Sequence, residues 1–228
     1  MNILYCHGLG SSINNRVGTM LLEYFRKTPH YFERLQYRNP GSRHVLWNIS
    51  EWREDIEKRV DGNEWIVIAS SAGCHAALNT AKYRPQNIKA LDCSGLFLFS
   101  PGVSLSFNYI DNIIPGGSVA LQNGRTILHP ASRNGYEALL NREQLQHYLD
   151  SCVTKPNGPI DVRCPVSIVH GTNDTLVPFE NSISLSKRLM SHDVDLTLIP
   201  GGSHFLSVDE LVIEKLERLL TIVQGRDQ

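Results

Sequence analysis

Ser71 stands in a sequence context that could make its hydroxyl group a nucleophile. An apolar run, 66–68, leads into the turn Ala69-Ser70-Ser71-Ala72-Gly73, and a helix-like segment, 74–83, follows. A sharp turn between a strand and a helix lifts a serine oxygen clear of the sheet, and small flanking residues leave room for that turn. It also directs the free N–H groups of the helix toward negative charge formed there. This spacing makes Ser71 the candidate nucleophile, with Ser70 as the first alternative.

A serine hydroxyl needs a base to accept its proton and an acid to orient that base. His204 lies in a glycine-rich loop just past the last predicted strand, and Asp174 follows a buried strand that ends at His170. We interpret His204 as the base and Asp174 as the acid. Asp111, in the central part of the chain, is the competing acid. The other histidines, His170 included, are interpreted as surface or packing residues.

The segment His7-Gly8-Leu9-Gly10 follows the first predicted strand and could bind an oxyanion. Glycines let the backbone approach a substrate closely. We predict that the backbone N–H groups of Leu9 and Ala72 are the donors, each worth about 3 kcal/mol of transition-state stabilisation. His7 itself is interpreted as a structural residue.

Strands alternate with helices along most of the chain, and several strands are apolar throughout. Strands are predicted at 3–6, 31–37, 64–69, 95–100, 165–170 and 194–199, and helices at 15–26, 47–60, 74–83, 181–190 and 208–223. Continuously apolar strands are typical of a parallel sheet that is covered by helices on both faces. We therefore predict an α/β fold with a mostly parallel sheet, formed by a single domain over residues 1–228.

Residues 103–160 interrupt this alternation and are interpreted as a cap insertion over the carboxyl edge of the sheet, where ligands bind in such folds. A hairpin is predicted around Asn123-Gly124 and a helix near 137–149. Apolar side chains of the cap could line an acyl or aryl pocket, although packing of the cap onto the body is the interpretation favoured for most of them: Leu105, Phe107, Tyr109, Ile110, Ile113, Ile114, Tyr136 and Tyr148. Its cations are interpreted as a solvated face rather than an anion site: Arg125, Arg133, Arg142 and Lys155.

Composition narrows the function classes. The chain has 228 residues with a formal net charge of −1, so a nucleic-acid partner has little support. No apolar run reaches membrane-spanning length, so no stable membrane insertion is expected. Five cysteines without a CxxC pair argue against a disulfide scaffold, and we take all five as buried packing residues. The first residues run directly into a strand, without the pattern of a signal or transit peptide, so a cytoplasmic location is expected.

The serine, the acid and the histidine follow one another in the order that α/β-hydrolases use. Over essentially its whole length the chain resembles this superfamily, and in particular the mitochondrial α/β-hydrolases of the palmitoyl-protein thioesterase and mycophenolic acid acyl-glucuronide esterase type. The segments that carry the closer resemblance are 50–55, 69–73, 162–171 and 176–196. Ala69 and Cys74 depart from the pattern, which more often has glycine. The resemblance implies hydrolysis of acyl esters and thioesters, with Ser71, Asp174 and His204 matching the triad.

These features predict a serine hydrolase that acts on a small-molecule acyl ester or thioester through an acyl-enzyme, with no metal and no organic cofactor. An amidase or peptidase is the alternative, because the same triad serves that chemistry. A non-catalytic binding module on the same fold is less favoured, since all three triad residues are present. Acyl-chain length, leaving group and oligomeric state stay open.

Overall fold

The computed structural model describes residues 1–60, 64–82, 93–129, 138–155 and 157–226. The strands are β1 Asn2–Cys6, β2 Tyr31–Arg34, β3 Trp65–Ser70, β4 Cys93–Phe99, β5 Ile127–His129, β6 Ala138–Leu140, β7 Val166–Gly171 and β8 Val194–Ile199. The helices are α1 Arg16–Phe25, α2 Ile49–Val60, α3 Ala72–Ala81, α4 Gly117–Gln122, α5 Arg142–Asp150, α6 Glu180–Arg188 and α7 Glu210–Arg226, with a short 3-10 helix at Phe107–Asn112.

Six of these strands form one sheet in the order β2-β1-β3-β4-β7-β8, and every neighbouring pair is parallel. After β1 the chain moves outward to β2 and then returns to β3 on the other side of β1. The strand order reverses at this point, which in open α/β sheets opens a crevice for ligands. Cys6 at the end of β1 lies beside Ala69 near the end of β3. The loops that follow these two strands therefore start side by side.

Strand β3 shows how the sheet is buried on both faces. Ile66 and Ile68 belong to the apolar cluster that includes α1 and α7, whereas Val67 and Ala69 belong to the cluster that includes α2, α3 and α6. All four side chains are essentially inaccessible to solvent. Because both faces need apolar side chains, the strand is apolar at successive positions rather than at alternate ones. The predicted parallel sheet with helices on both faces is confirmed.

The cap differs from its prediction in two places. Asn123-Gly124 ends helix α4 instead of forming a hairpin, and Gly124 has the positive φ of +75° that a helix C-terminus favours. The hairpin lies further along, where Ile127 pairs with Leu140. The predicted helix begins late, at Arg142, because Asn141 caps its N-terminus by accepting a hydrogen bond from the Gln144 N–H (2.9 Å). The assignment of 103–160 as one insertion within a single domain stays a prediction.

All five cysteines are unpaired thiols. Cys6, Cys74 and Cys152 are buried, as interpreted from the sequence, but Cys93 and Cys164 are partly exposed at the start of β4 and just before β7. None of the described helices combines the length and the apolar character needed to cross a bilayer.

Candidate active site

The turn after β3 holds Ser71 in a strained backbone conformation. Its φ of +52° and ψ of −118° are sparsely populated by residues other than glycine. Two backbone hydrogen bonds fix this conformation: the Ser71 N–H donates to the Phe99 carbonyl (2.9 Å), and the Gly102 N–H donates to the Ser71 carbonyl (3.0 Å). Strain of this kind costs about 1–3 kcal/mol and persists only where the surroundings impose it. The sharp turn predicted from the sequence is therefore held by the last residue of β4 and by the chain just after it.

Small residues around Ser71 are required by close backbone approaches. A Cβ atom at Gly73 would lie 2.6 Å from the carbonyl oxygens of both Cys6 and His7. A Cβ at Gly8 would lie 3.0 Å from the Ser71 Cβ. Glycine at these two positions lets the first turn of α3 and the loop after β1 meet beside the serine hydroxyl.

The structure brings the three predicted residues of the triad together. The His204 Nε2 lies 3.1 Å from the Ser71 Oγ, and the His204 Nδ1 lies 2.7 Å from the Asp174 Oδ2. The side chain of Asp174 has no exposed surface and that of His204 is 10% exposed. The three residues follow β3, β7 and β8, whose carboxyl ends lie at the same edge of the parallel sheet.

The alternative residues are engaged elsewhere. The Ser70 Oγ lies 3.2 Å from the phenol oxygen of Tyr5 on β1. The Asp111 carboxylate accepts hydrogen bonds from the backbone N–H (2.9 Å) and the hydroxyl of Ser118, at the start of α4. Asp111 thus stabilises the N-terminus of helix α4.

Asp174 is held as a buried carboxylate. Its Oδ1 accepts hydrogen bonds from the backbone N–H groups of Leu176 (2.9 Å) and Val177 (2.8 Å). Its Oδ2 contacts His204 and also the Nε2 of His170 (3.0 Å). Burial raises the pKa of Asp174, but the hydrogen bonds from the two histidines outweigh this and hold the pKa well below its usual range. The acid therefore carries a full negative charge beneath His204.

Leu9 and Ala72 line the same cavity as Ser71. Ala72 is the first residue of α3, so its N–H has no acceptor within the helix. Among the described residues, no acceptor engages the N–H of either Leu9 or Ala72. A Cβ at Gly102 would lie 3.2 Å from the Ala72 nitrogen, so glycine at that position keeps the approach to this N–H open.

The comparisons with known proteins agree on the fold. No protein-family model matches the chain. Along 89% of its length the chain is 25% identical to the mitochondrial palmitoyl-protein thioesterase ABHD10 of Rattus norvegicus, and the match covers 68% of that protein. The structure of mouse α/β hydrolase domain-containing protein 10 superposes with a TM-score of 0.75 at 23% identity, over 99% of this chain and 89% of that one. The chain has the α/β-hydrolase fold. It is a distant homologue of the rat thioesterase.

A second superposition shows the same fold at lower identity. A soluble variant of the monoglyceride lipase of Saccharomyces cerevisiae superposes with a TM-score of 0.73 at 16% identity, over 97% of this chain and 87% of that one.

The α/β-hydrolase sheet and the cap enclose a cavity of about 540 Å³ in front of Ser71. Apolar and aromatic side chains from both sides line it: Trp47, Leu105, Tyr109, Ile113 and Tyr148 near the cap, and Leu176, Val177, Phe205 and Leu206 near the triad loops. Four of the cap residues considered in the sequence line this cavity, whereas Ile110 is fully buried in the core and Tyr136 lies outside the described residues.

Arg16 is the cation that lines the cavity, at the exposed start of α1, and sequence analysis did not consider it. Of the cations that were considered, Arg125, Arg142 and Lys155 do not line it, and Lys155 pairs with Asp150 (3.1 Å). Arg133 lies outside the described residues.

His7 is a structural residue of this α/β-hydrolase site, as interpreted. Its ring is fully buried and meets the rings of Tyr37 and Trp52 edge-on, with centroids 4.8 and 5.5 Å away. The Nδ1 donates to the Gly8 carbonyl (2.9 Å), so the ring supports the loop that carries Leu9. Burial lowers the pKa of His7 to about 4, so the ring is neutral near pH 7.

The sequence predicts a surface or packing role for His170. The residue is fully buried at the end of β7, and its Nε2 also lies 3.0 Å from the Asp174 Oδ2, a contact that the sequence did not predict. The signal was present, since His170 and Asp174 are four residues apart across the turn that ends the strand. Within the described residues, no group of three or more His, Cys, Asp or Glu side chains is placed to share a metal ion.

Proposed function

We propose that the protein is a serine hydrolase that cleaves carboxylic acyl esters or thioesters. The observation that carries the proposal is the continuous contact from the Ser71 Oγ through His204 to the buried Asp174, at 3.1 and 2.7 Å. This arrangement supplies a nucleophile, a base within reach of its proton, and a charged acid that orients the base.

In the acylation step, the Ser71 Oγ bonds to the acyl carbon while its proton passes to the His204 Nε2. The carbonyl electron pair moves onto the oxygen, which the N–H groups of Leu9 and Ala72 stabilise. When the carbonyl re-forms, the bond to the leaving oxygen or sulfur breaks, and His204 returns the proton to the departing alcohol or thiol. Asp174 stabilises the imidazolium formed in between.

Deacylation repeats these events with water in place of Ser71. His204 takes a proton from water as its oxygen bonds to the acyl carbon, and the same two N–H groups stabilise the second oxyanion. Collapse of this intermediate releases the carboxylic acid and returns the proton to the Ser71 oxygen. The enzyme is then restored.

Two observations support an ester or thioester with an apolar acyl group. The relatives' names describe a palmitoyl-protein thioesterase and a monoglyceride lipase. The cavity in front of Ser71 is walled by aliphatic and aromatic side chains from the cap and from the triad loops. Such walls favour the burial of an apolar substrate group.

Covalent labelling by a fluorophosphonate, read by intact mass, tests the proposal. Wild type and Ser70→Ala are expected to gain one adduct, and Ser71→Ala none. Equal labelling of Ser71→Ala and wild type would contradict the assignment of the nucleophile. An ester, a thioester and an amide with the same acyl group then compare the substrate classes. Fastest turnover of the amide would overturn the ester assignment while leaving the triad intact.

A further inference from the structure

Two serine–histidine pairs meet on one carboxylate. On one side, Ser71 contacts His204, which in turn contacts the Asp174 Oδ2. On the other side, the His170 Nε2 lies 3.0 Å from the same oxygen. The His170 Nδ1 in turn lies 2.6 Å from the Oγ of Ser182 on α6. The side chains of His170 and Ser182 are fully buried. The triad therefore forms three residues of a five-residue chain of hydrogen bonds.

The partners of His170 fix which ring nitrogen carries its proton. The Nε2 faces two acceptors, the Asp174 carboxylate and the Val177 carbonyl (3.1 Å), so it must be a donor. The Nδ1 faces the hydroxyl of Ser182, which can donate to it. The Nε2–H is therefore directed at the Asp174 carboxylate, and the hydroxyl of Ser182 holds the opposite side of the ring.

We propose that His170 is a positioning residue for the acid of the triad, and that the hydroxyl of Ser182 holds the His170 ring in the orientation that this requires. The inference rests on the proposed function, because it assigns a part in the same reaction. The Nε2–H of His170 holds the Asp174 Oδ2 in the place where that oxygen meets the His204 Nδ1. It also takes up part of the carboxylate's hydrogen-bonding capacity.

Loss of this donor has two physical consequences. The Asp174 Oδ2 is then fixed by His204 alone, so the position of the base over Ser71 is less well defined. The carboxylate also loses one of its hydrogen-bond donors, so it interacts more strongly with a positive charge on the His204 ring. Within the described residues, the titratable groups that contact Asp174 are His170 and His204.

The experiment compares His170→Leu with His170→Gln by the pH dependence of the fluorophosphonate labelling rate, from about pH 5 to about pH 9. Leucine fills the site without a donor. We expect labelling to slow by about ten- to a hundredfold, and we expect its acid limb, the fall in rate at low pH, to move to higher pH. Glutamine places an N–H at a similar reach and an amide oxygen toward Ser182. It is expected to restore most of the rate and the wild-type acid limb.

Ile168→Ala is the matched control, because Ile168 is buried two residues earlier on the same side of β7. It is expected to lower the melting temperature without moving the acid limb. If His170→Leu behaves like Ile168→Ala, with an unshifted limb, His170 is only a packing residue and the proposal is wrong. Absence of labelling in wild type would instead contradict the proposed function itself.

Ser182→Ala tests the same chain from its other end and serves where His170→Leu does not fold. Without the hydroxyl, the His170 ring loses the hydrogen bond that fixes its orientation toward Asp174. The donor to the Asp174 Oδ2 is then less well placed, so labelling should slow and its pH profile should move in the same direction as that of His170→Leu, by a smaller amount. Coincidence of the Ser182→Ala and wild-type profiles would overturn the part given to Ser182.

Discussion

Ser71 shows at the scale of one residue how the site is maintained against a local cost. Its positive φ is imposed by hydrogen bonds to Phe99 and Gly102 on neighbouring segments. Stability is lost at this position in return for a hydroxyl that projects into the cavity. This trade between stability and activity is common at catalytic positions.

Ser71→Gly is therefore expected to raise the free energy of unfolding by about 1 kcal/mol, because glycine adopts this conformation without strain. Ser71→Ala keeps the Cβ and should show less of this gain. Both variants should lose fluorophosphonate labelling. Urea unfolding monitored by circular dichroism measures the difference, and a Ser71→Gly protein no more stable than Ser71→Ala would show that the strain is not significant.

His7 makes stability depend on pH. Its pKa is about 4 in the folded protein, because the ring is buried, and about 6.5 in an unfolded chain. Between these values the unfolded state binds the proton and the folded state does not. Stability is therefore highest above about pH 6.5 and falls as the pH drops toward 4, by up to about 3 kcal/mol.

A variant that cannot titrate isolates this effect. His7→Gln should lose less stability than wild type between about pH 7.5 and about pH 4.5, as measured by urea unfolding at each pH. Protonation of the Asp174 carboxylate lowers stability only at lower pH, below about 3.9, because its pKa is depressed on folding. Equal losses in wild type and His7→Gln over the upper interval would contradict the part assigned to His7.

At the scale of elements, helix α1 depends on its N-cap residue Asn15, which also lines the cavity. The Asn15 Oδ1 accepts from the Gly18 N–H (2.7 Å), and its amide contacts the phenol of Tyr5 and the hydroxyl of Ser11, each at 2.9 Å. Asn141 caps α5 with a single such contact. Asn15→Ala is expected to cost about 1–2 kcal/mol of stability, and Asn141→Ala about 1 kcal/mol or less.

Urea unfolding of the two variants side by side checks this comparison. Asn15→Ala should lose more stability, since it removes two further hydrogen bonds in addition to the one from the Gly18 N–H. A larger loss for Asn141→Ala would mean that the contacts of Asn15 with Tyr5 and Ser11 add little.

The sequence predicts elements well where one local pattern has one structural meaning. Apolar strands such as β3 leave few alternatives, and so do the small residues of the turn around Ser71. The sheet and the grouping of Ser71, His204 and Asp174 could therefore be expected. Asn-Gly is ambiguous, because the same pair suits a hairpin and a helix end, and α4 uses it for the latter. His170 was missed because its contact depends on the path of the turn 171–174.

At the scale of the whole molecule, residues of segment 103–160 contribute to the wall of the cavity. Leu105 lines it, whereas Leu128 on β5 of the cap does not line it and is 38% exposed. Leu105→Trp is expected to lower kcat/KM for p-nitrophenyl octanoate by about tenfold or more, while p-nitrophenyl acetate is hydrolysed at nearly the wild-type rate. Leu128→Trp is the control and should change neither rate.

Equal effects of Leu105→Trp on the short and long esters would show that the acyl chain does not occupy this part of the cavity. An effect of Leu128→Trp as large as that of Leu105→Trp would point to a disturbance of the whole cap. The cytoplasmic location expected from the sequence stays a prediction.

The separation of the triad along the chain has a consequence for the time course of folding. Ser71 and His204 are 133 residues apart, and His204 follows β8, the strand that pairs with β7 at the far edge of the sheet. A folding intermediate in which β8 is unpaired holds the hydroxyl and the carboxylate but has no base between them. Contacts this distant in sequence form slowly. Ser71 is therefore not activated until β8 has paired with β7. During refolding, its reactivity toward a fluorophosphonate should return only after secondary structure has recovered.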